Sequence, residues 1–206
     1  MSRRFSGLKQ FDMDYGCILA GVDEAGRGPW AGPVVAAAVI LDTDKLDTLT
    51  RLDDSKKLTE KTREELFDIV ISAAVSYSIC AVSGKQIDST DILRATMRAM
   101  SSAIKGLGAA PDKVLIDGNT LPAAPGFKME AVVGGDAKSL CVAAASVLAK
   151  VHRDRIMRNF DRIYPGYGFF RHKGYGTREH EEALEKLGVC PIHRISYKPV
   201  KKHIRG

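Results

Sequence analysis

Residues 18–28 read ILAGVDEAGRG, and this stretch gives the clearest indication of the fold. Its first five residues are small or apolar, which is typical of a strand buried on both faces. Two acids, Asp23 and Glu24, follow directly, and two glycines then flank Arg27. Because neighbouring side chains of a strand point to opposite faces, both carboxylates can reach one site only if the chain bends there. We therefore expect a bulge or turn at this strand end.

Four further segments carry strand patterns, either short apolar runs or alternation with a period of two. They are residues 34–41, 75–82, 113–116 and 127–133. Apolar residues at helical spacing predict helices around 66–73, 93–104 and 140–160, and a last helix capped by Thr177 and running through Leu187. Strands first and helices mostly later favour an α/β fold with a mixed central sheet of about five strands flanked by helices, plus a small C-terminal helical segment.

Size and composition limit the classes of protein to consider. The chain has 206 residues, of which 45% are hydrophobic, so one domain over 1–206 is expected. No run is apolar enough to cross a membrane, and no signal region follows the polar start, so we expect a cytoplasmic, monomeric protein. The four cysteines are scattered without a Cys-x-x-Cys pair, so neither disulfides nor zinc are indicated.

The net charge of +6 favours a polyanionic partner, since basic side chains release counterions from phosphates. An ordinary basic surface is an equally good interpretation of charge alone. Basic residues crowd the later segments, above all a C-terminal stretch at about 189–206. Its residues His193 and Arg194, with the lysines and arginine that follow, could clamp a duplex or form a charged, frayed terminus.

Acidic residues follow strands at three places. Besides Asp23 and Glu24, Asp117 ends one predicted strand, and Asp136 follows another after two glycines. Hard cations such as Mg²⁺ and Mn²⁺ prefer oxygen ligands, and a pair of them can promote phosphodiester hydrolysis. The alternatives are structural: Asp23 could be a turn residue, Glu24 a solvated charge, and Asp136 the N-cap of the following helix.

The Gly-Arg-Gly tripeptide could bring bare backbone close to a ligand while Arg27 reaches a phosphate, or it could be a plain tight turn. It lacks the Lys-Ser/Thr ending of a nucleotide-binding P-loop and the glycine spacing of a dinucleotide site. A mononucleotide site, and with it a nucleotide-dependent phosphotransferase, is therefore disfavoured.

The motifs as a set resemble bacterial ribonuclease HII in order along nearly the whole chain. They are GVDEAGRGP at 21–29, AGPVVAAAV at 31–39, DSKKL at 54–58, IDG at 116–118, GDAKS at 135–139, AAAS at 143–146 and HKGYGT at 172–177. The resemblance implies a ribonuclease H-like fold. It also implies an endonuclease that cuts the RNA strand of RNA/DNA hybrids, including 5′ of single ribonucleotides in duplex DNA, leaving 3′-hydroxyl and 5′-phosphate ends.

The resemblance also implies roles for individual residues. Four carboxylates would bind Mn²⁺ or Mg²⁺ and be catalytic: Asp23, Glu24, Asp117 and Asp136. Six residues would contact the substrate: Gly26, Arg27 and Gly28 around the 2′-hydroxyl, Tyr175 by stacking on the sugar after the junction, and Lys56 and Lys173 at phosphates. The competing hypothesis is a noncatalytic protein that binds RNA/DNA hybrids and whose carboxylates only cap helices and turns.

Overall fold

The computed structural model describes residues 3–52 and 59–204. A five-stranded sheet in the order β3-β2-β1-β4-β5 forms its centre. The strands are Leu19–Ala25 (β1), Val34–Leu41 (β2), Ala74–Val82 (β3), Lys113–Asp117 (β4) and Met129–Val132 (β5). β2 is antiparallel to both of its neighbours, β1 and β3, whereas β1, β4 and β5 run parallel. The predicted α/β fold with a mixed five-stranded sheet is confirmed.

Helices cover both faces of the sheet. Those longer than one or two turns are Arg3–Met13 (α1), Glu60–Ala73 (α2), Ile92–Lys105 (α4), Leu140–Ile163 (α5) and Arg178–Leu187 (α7). Short helices are Gly84–Asp88 (α3), Phe169–His172 (α6) and Lys198–Lys201 (α8). None of the helices in these described ranges is long and apolar enough to cross a membrane.

Strand β2 shows how the sheet divides the core. Its side chains alternate, so Val35 and Val39 pack with α1, α2 and α5 on one face, while Val34 and Ile40 pack with α4 on the other. All four are buried. Burial on both faces explains why this segment is a continuous apolar run rather than an alternating one.

The central helix α5 lies directly against strand β1. A Cβ built on Gly21 would stand 2.1 Å from the carbonyl carbon of Cys141, so only glycine allows this approach. The side chain of Ser139 caps the helix by accepting from the amide of Val142. The sequence also allowed Asp136 as the N-cap of this helix. Asp136 instead lies three residues before Ser139, in a 3-10 turn.

The first helix, α1, was missed from the sequence. Its polar and basic stretch contains only two fully buried residues, Phe5 and Leu8. They are three residues apart and join the core beside Leu46 and Leu49. Two anchors give too little periodicity to predict a helix, so tertiary packing supplies the signal that the local sequence lacks.

Candidate active site

Three of the predicted carboxylates line one pocket of about 450 Å³. Asp23 and Glu24 come from β1, and Asp117 is the last residue of β4. The parallel pairing of β1 with β4 ends at Val22 and Ile116, so Asp23 and Asp117 are the next residues in register. The topology thus brings together carboxylates that are more than 90 residues apart in the sequence.

Strand β1 does not bend between Asp23 and Glu24, contrary to the expectation from the sequence. Both residues stay paired with β2, and pairing continues to Ala25. The turn follows at Gly26, whose φ is +97°. Both carboxylates can still line one pocket because β4 stops pairing beside them, which leaves that side of β1 open.

The carboxylates repel one another in a poorly solvated place. Burial, with repulsion from Glu24 and Asp117, raises the pKa of Asp23 well above its ordinary value, although Ser146 donates a hydrogen bond to it. Burial also raises the pKa of Glu24, and Arg27, 3.5 Å away, only partly offsets this effect. Such crowding is costly unless a cation is shared, so it is typical of functional sites.

Asp136 lies next to this group without lining the described pocket. It belongs to the 3-10 turn Gly135–Ala137 and is half-buried. The amide of Gly135 donates to Oδ1 of Asp117 at 2.6 Å, and this bond ties the turn to the end of β4. The structure therefore gathers three of the four predicted carboxylates at the pocket. The fourth, Asp136, directly follows Gly135, whose amide is bonded to Asp117.

The donor set fits a hard divalent cation. Carboxylate oxygens are the ligands that Mg²⁺ and Mn²⁺ prefer, and the repulsion that raises the pKa of Asp23 is what a bound cation would relieve. In the described ranges no three Asp, Glu, His or Cys side chains already enclose a position for an ion. The fit therefore rests on the chemistry and crowding of Asp23, Glu24 and Asp117.

The same pocket is also lined by the Gly-Arg-Gly turn and Tyr175. A Cβ built on Gly28 would stand 3.7 Å from Cε1 of Tyr175, so these two residues are neighbours in the pocket. The guanidinium of Arg153 lies 5.8 Å from the centre of the Tyr175 ring, and the ring is 44% exposed. An accessible aromatic face beside bare backbone suits a sugar or base.

A chain of neutral histidines holds the segment that carries Tyr175. The amide of Cys190 donates to Nδ1 of His193 at 2.9 Å, so Nε2 of His193 carries the proton and donates to Nε2 of His180 at 3.0 Å. Nδ1 of His180 then donates to the carbonyl of Tyr175 at 2.9 Å. Burial lowers the pKa of both histidines to about 4, which keeps them neutral near pH 7.

Several pocket residues were not singled out from the sequence. Ser146, Arg63 and Lys150 line the pocket, and Lys150 pairs with Asp154 at 2.7 Å. Ser146 ends the AAAS motif, and its place one turn before Lys150 on α5 could have indicated a common face.

Arg153, also on α5, is buried and was missed as well. It donates to the carbonyls of Ala31, Pro33 and Lys173 at 2.9–3.1 Å. These bonds link the segment after the Gly-Arg-Gly turn to the segment before Tyr175. An arginine within an Arg-rich helix gives no signal in the sequence that it is buried.

Lys173 does not line the pocket. Lys56 lies outside the described residues. Lys173 is buried, its ammonium donates to the carbonyl of Phe170, and Glu60 lies 3.7 Å away. Its backbone has a φ of +50°, so it forms the turn that leads to Tyr175.

The structure corrects the interpretation of the basic C-terminal stretch at two residues. His193 and Arg194 are both buried, so neither can face a duplex. They anchor the stretch: Arg194 donates to the carbonyl of Trp30 from its amide, and His193 forms an isolated bridge with Ala31. Lys198, Lys201 and Lys202 are exposed, and Lys202 pairs with Glu181.

Comparison with known proteins identifies the family. The model of the family "Ribonuclease HII" matches residues 20–200. The chain is 51% identical to ribonuclease HII of Endomicrobium trichonymphae over 95% of this chain and 94% of that protein. It is 54% identical to ribonuclease HII of Francisella tularensis strain WY96-3418 over 89% of this chain and 97% of that protein. The crystal structure of ribonuclease H2 from Pyrococcus horikoshii OT3 superposes with a TM-score of 0.77 at 30% identity, covering 90% of this chain and 96% of that one. The chain therefore belongs to the ribonuclease HII family and is an endoribonuclease.

Proposed function

We propose that this enzyme hydrolyses the RNA strand of RNA/DNA hybrids and also cuts 5′ of single ribonucleotides within duplex DNA. The products would carry 3′-hydroxyl and 5′-phosphate ends, and the reaction would require Mn²⁺ or Mg²⁺ at Asp23, Glu24, Asp117 and Asp136. Family membership supports RNA/DNA hybrid cleavage in general. It also disfavours the alternative of a noncatalytic hybrid-binding protein.

One observation carries the proposal: a single pocket is lined by three carboxylates, the Gly-Arg-Gly turn and Tyr175. The carboxylates suit cations that act on a phosphodiester. The turn offers bare backbone, and a Cβ built on Gly28 would stand only 3.7 Å from the Tyr175 ring. A ribose in this pocket would meet groups that can sense its 2′-hydroxyl, the group that distinguishes RNA from DNA.

The bound cations would supply Lewis acidity and lower the pKa of water. The residues of the chain have separate tasks. Asp23 and Asp117 lie beside each other on adjacent strands, so the sheet fixes their positions. The Gly135 amide fixes the orientation of the Asp117 carboxylate. Arg27 pairs with Glu24 at 3.5 Å, so it can exchange this partner for a substrate phosphate. Tyr175 would stack on the sugar that follows the ribonucleotide.

The decisive experiment uses three duplexes of one sequence: all DNA, DNA with one ribonucleotide, and an RNA/DNA hybrid. Each is incubated with Mg²⁺, with Mn²⁺ and with a chelator, and the product ends are analysed. We expect cuts in the second and third duplexes only, and only with a metal. Cleavage of all-DNA duplex at a similar rate, or undiminished cleavage in chelator, would contradict the proposal.

Other parts of the proposal await separate tests. Lys56 and Lys173 remain predicted phosphate contacts. The cleavage assay with Mg²⁺ and Mn²⁺ would also identify the preferred ion. A cytoplasmic location, a monomeric state and a single domain over 1–206 also remain predictions.

A further inference from the structure

Arg194 is fully buried, yet its hydrogen-bond partners are neutral oxygens. The guanidinium donates to the carbonyls of Gly26 at 2.6 Å, Arg27 at 2.8 Å and Gly32 at 3.0 Å, and to the hydroxyl of Tyr197 at 3.0 Å. Among the described residues it forms no ion pair, although the negative charge of Asp88 favours its charged form. A buried charge is tolerated only when its donors are satisfied, so these four bonds account for most of its hydrogen-bonding capacity.

Two of these bonds fix the peptide planes of the Gly-Arg-Gly turn. A trans peptide is planar, and its C=O and N–H point in opposite directions. The described chain contains no cis peptide bond. Arg194 bonds to the carbonyls of Gly26 and Arg27, so the amides of Arg27 and Gly28 point away from it, and both residues line the pocket.

These two amides are suited to bind a ligand oxygen. Neither donates a hydrogen bond to another described residue. A cation bound to a carbonyl polarises the same peptide group, which makes its amide a stronger donor. The hydroxyl of Tyr197 adds a second contact to the carbonyl of Arg27 at 3.0 Å. Arg194 and Tyr197 thus form one support behind the turn.

The segment that carries Arg194 has its own anchor. Asp88 accepts from the amides of Ile195 at 2.9 Å and Ser196 at 3.0 Å, and also from the hydroxyl of Ser196. His193 is fixed independently by its bond to His180. A conservative change at Arg194 should therefore leave the segment in place and alter mainly the turn.

We propose that Arg194 is a positioning residue for ribonucleotide recognition: it orients the Arg27 and Gly28 amides so that they donate to an oxygen of the bound ribonucleotide. The inference rests on the proposed function, because it assigns that pocket to a ribose and its adjoining phosphate. Arg194 never touches the substrate itself. It acts by holding two peptide planes in one orientation.

The test compares Arg194→Lys, which keeps the charge but loses the planar fork, with Tyr197→Phe, which loses one hydroxyl. The control is Arg178→Lys, because the Arg178 side chain is 93% exposed and pairs only with Glu182. On duplex DNA with one ribonucleotide, we expect KM to rise about tenfold in Arg194→Lys and about threefold in Tyr197→Phe, with kcat changed less. Mn²⁺ affinity and the control should match the wild type.

A second readout does not depend on activity. The ¹⁵N–¹H signals of Arg27 and Gly28 should shift in both variants and stay in place in the control. A wild-type KM together with unshifted amides in folded variants would overturn the proposal. If Arg194→Lys fails to fold, Tyr197→Phe decides alone by the same two criteria.

Comparison with the all-DNA duplex distinguishes a failure of the proposed function from a failure of the role of Arg194. If the wild type does not distinguish a ribonucleotide from DNA, the proposed function fails. If it does, and both variants keep its KM and show no shift of the Arg27 and Gly28 amide signals, only the role of Arg194 is refuted.

Discussion

Gly26 and Gly28 flank the same arginine, yet alanine should act differently at the two positions. A Cβ at Gly26 would lie 2.1 Å from Nε of Arg153 and 2.7 Å from the carbonyl oxygen of Pro33. At Gly28 the nearest atom, Cε1 of Tyr175, is 3.7 Å away, which is ordinary contact. Gly26 also has a φ of +97°, a conformation that alanine adopts only with strain.

These contacts give the expected cost of Gly26→Ala. The left-handed conformation alone costs about 1–2 kcal/mol. Relief of the 2.1 Å contact requires Arg153 to move by more than 1 Å to reach 3.4 Å, which weakens at least one of its three bonds to carbonyls, each worth roughly 1.5–3 kcal/mol. The free energy of unfolding should therefore fall by about 3–5 kcal/mol, and the melting temperature by roughly 10 °C.

Gly28→Ala should instead affect the substrate. Its methyl group fits beside Tyr175 without overlap, so the free energy of unfolding should change by less than about 1 kcal/mol. The methyl covers part of the bare backbone that Gly28 offers to the ribose in the pocket, so kcat/KM on a single ribonucleotide should fall about tenfold or more. Thermal melting and cleavage kinetics measured on both variants test the pair. Equal melting temperatures, or a Gly28→Ala enzyme as active as the wild type, would refute the reasoning.

Three further predictions follow from the same structure. Asp23→Asn keeps the shape but removes an anionic ligand, so cleavage should fall by about 1000-fold or more while duplex affinity measured by fluorescence anisotropy stays within about twofold; undiminished cutting would contradict the metal site. Tyr175→Ala should lower kcat/KM on a single embedded ribonucleotide about tenfold without changing Mn²⁺ affinity, and Phe at this position should retain the stacking; equal cutting by the Ala variant would remove the proposed role. Burial lowers the pKa of His180 and His193 from 6.5 to about 4, so protons favour the unfolded chain and stability is lost as the pH falls from about 6.5 to 4, by up to about 3 kcal/mol for one histidine. The free energy of unfolding, measured in urea at several pH values across that range, should depend less steeply on pH for His180→Gln than for the wild type. An equal dependence on pH would show that the histidine pair does not contribute.

The strands could be predicted because each has a strong local pattern. The apolar run 34–41 matches β2 at both ends, since burial on both faces leaves no room for polar residues. Thr177 caps α7 through the amide of His180, and the helix ends at Leu187, both as predicted. At β3 the alternation predicted the strand, although two of its alternating apolar residues, Val75 and Tyr77, are 60% and 42% exposed.

The site could be predicted only in part. Acids directly after buried strands are visible in the sequence, and Asp23, Glu24 and Asp117 do share a pocket. The residues that hold the Gly-Arg-Gly turn and Tyr175 in place cannot be recognised from the sequence around them. The bonds from Arg153 to Ala31 and Pro33, and from Arg194 to the Gly-Arg-Gly turn, span at least 120 residues, and their acceptors are backbone carbonyls, which every residue has.

Buried arginines also change what the net charge of +6 means for binding a polyanion. Arg153 and Arg194 are at most 1% exposed, and both donate to carbonyl groups, so their charges cannot replace counterions at a phosphate. His193, in the same basic stretch, is neutral at pH 7 because burial lowers its pKa. Two of the charges counted in the +6 therefore serve the shape of the pocket. If the Arg27 and Gly28 amides and the Tyr175 ring recognise the ribonucleotide as proposed, discrimination of RNA from DNA should depend less on salt than overall affinity for duplexes, which exposed basic side chains would supply.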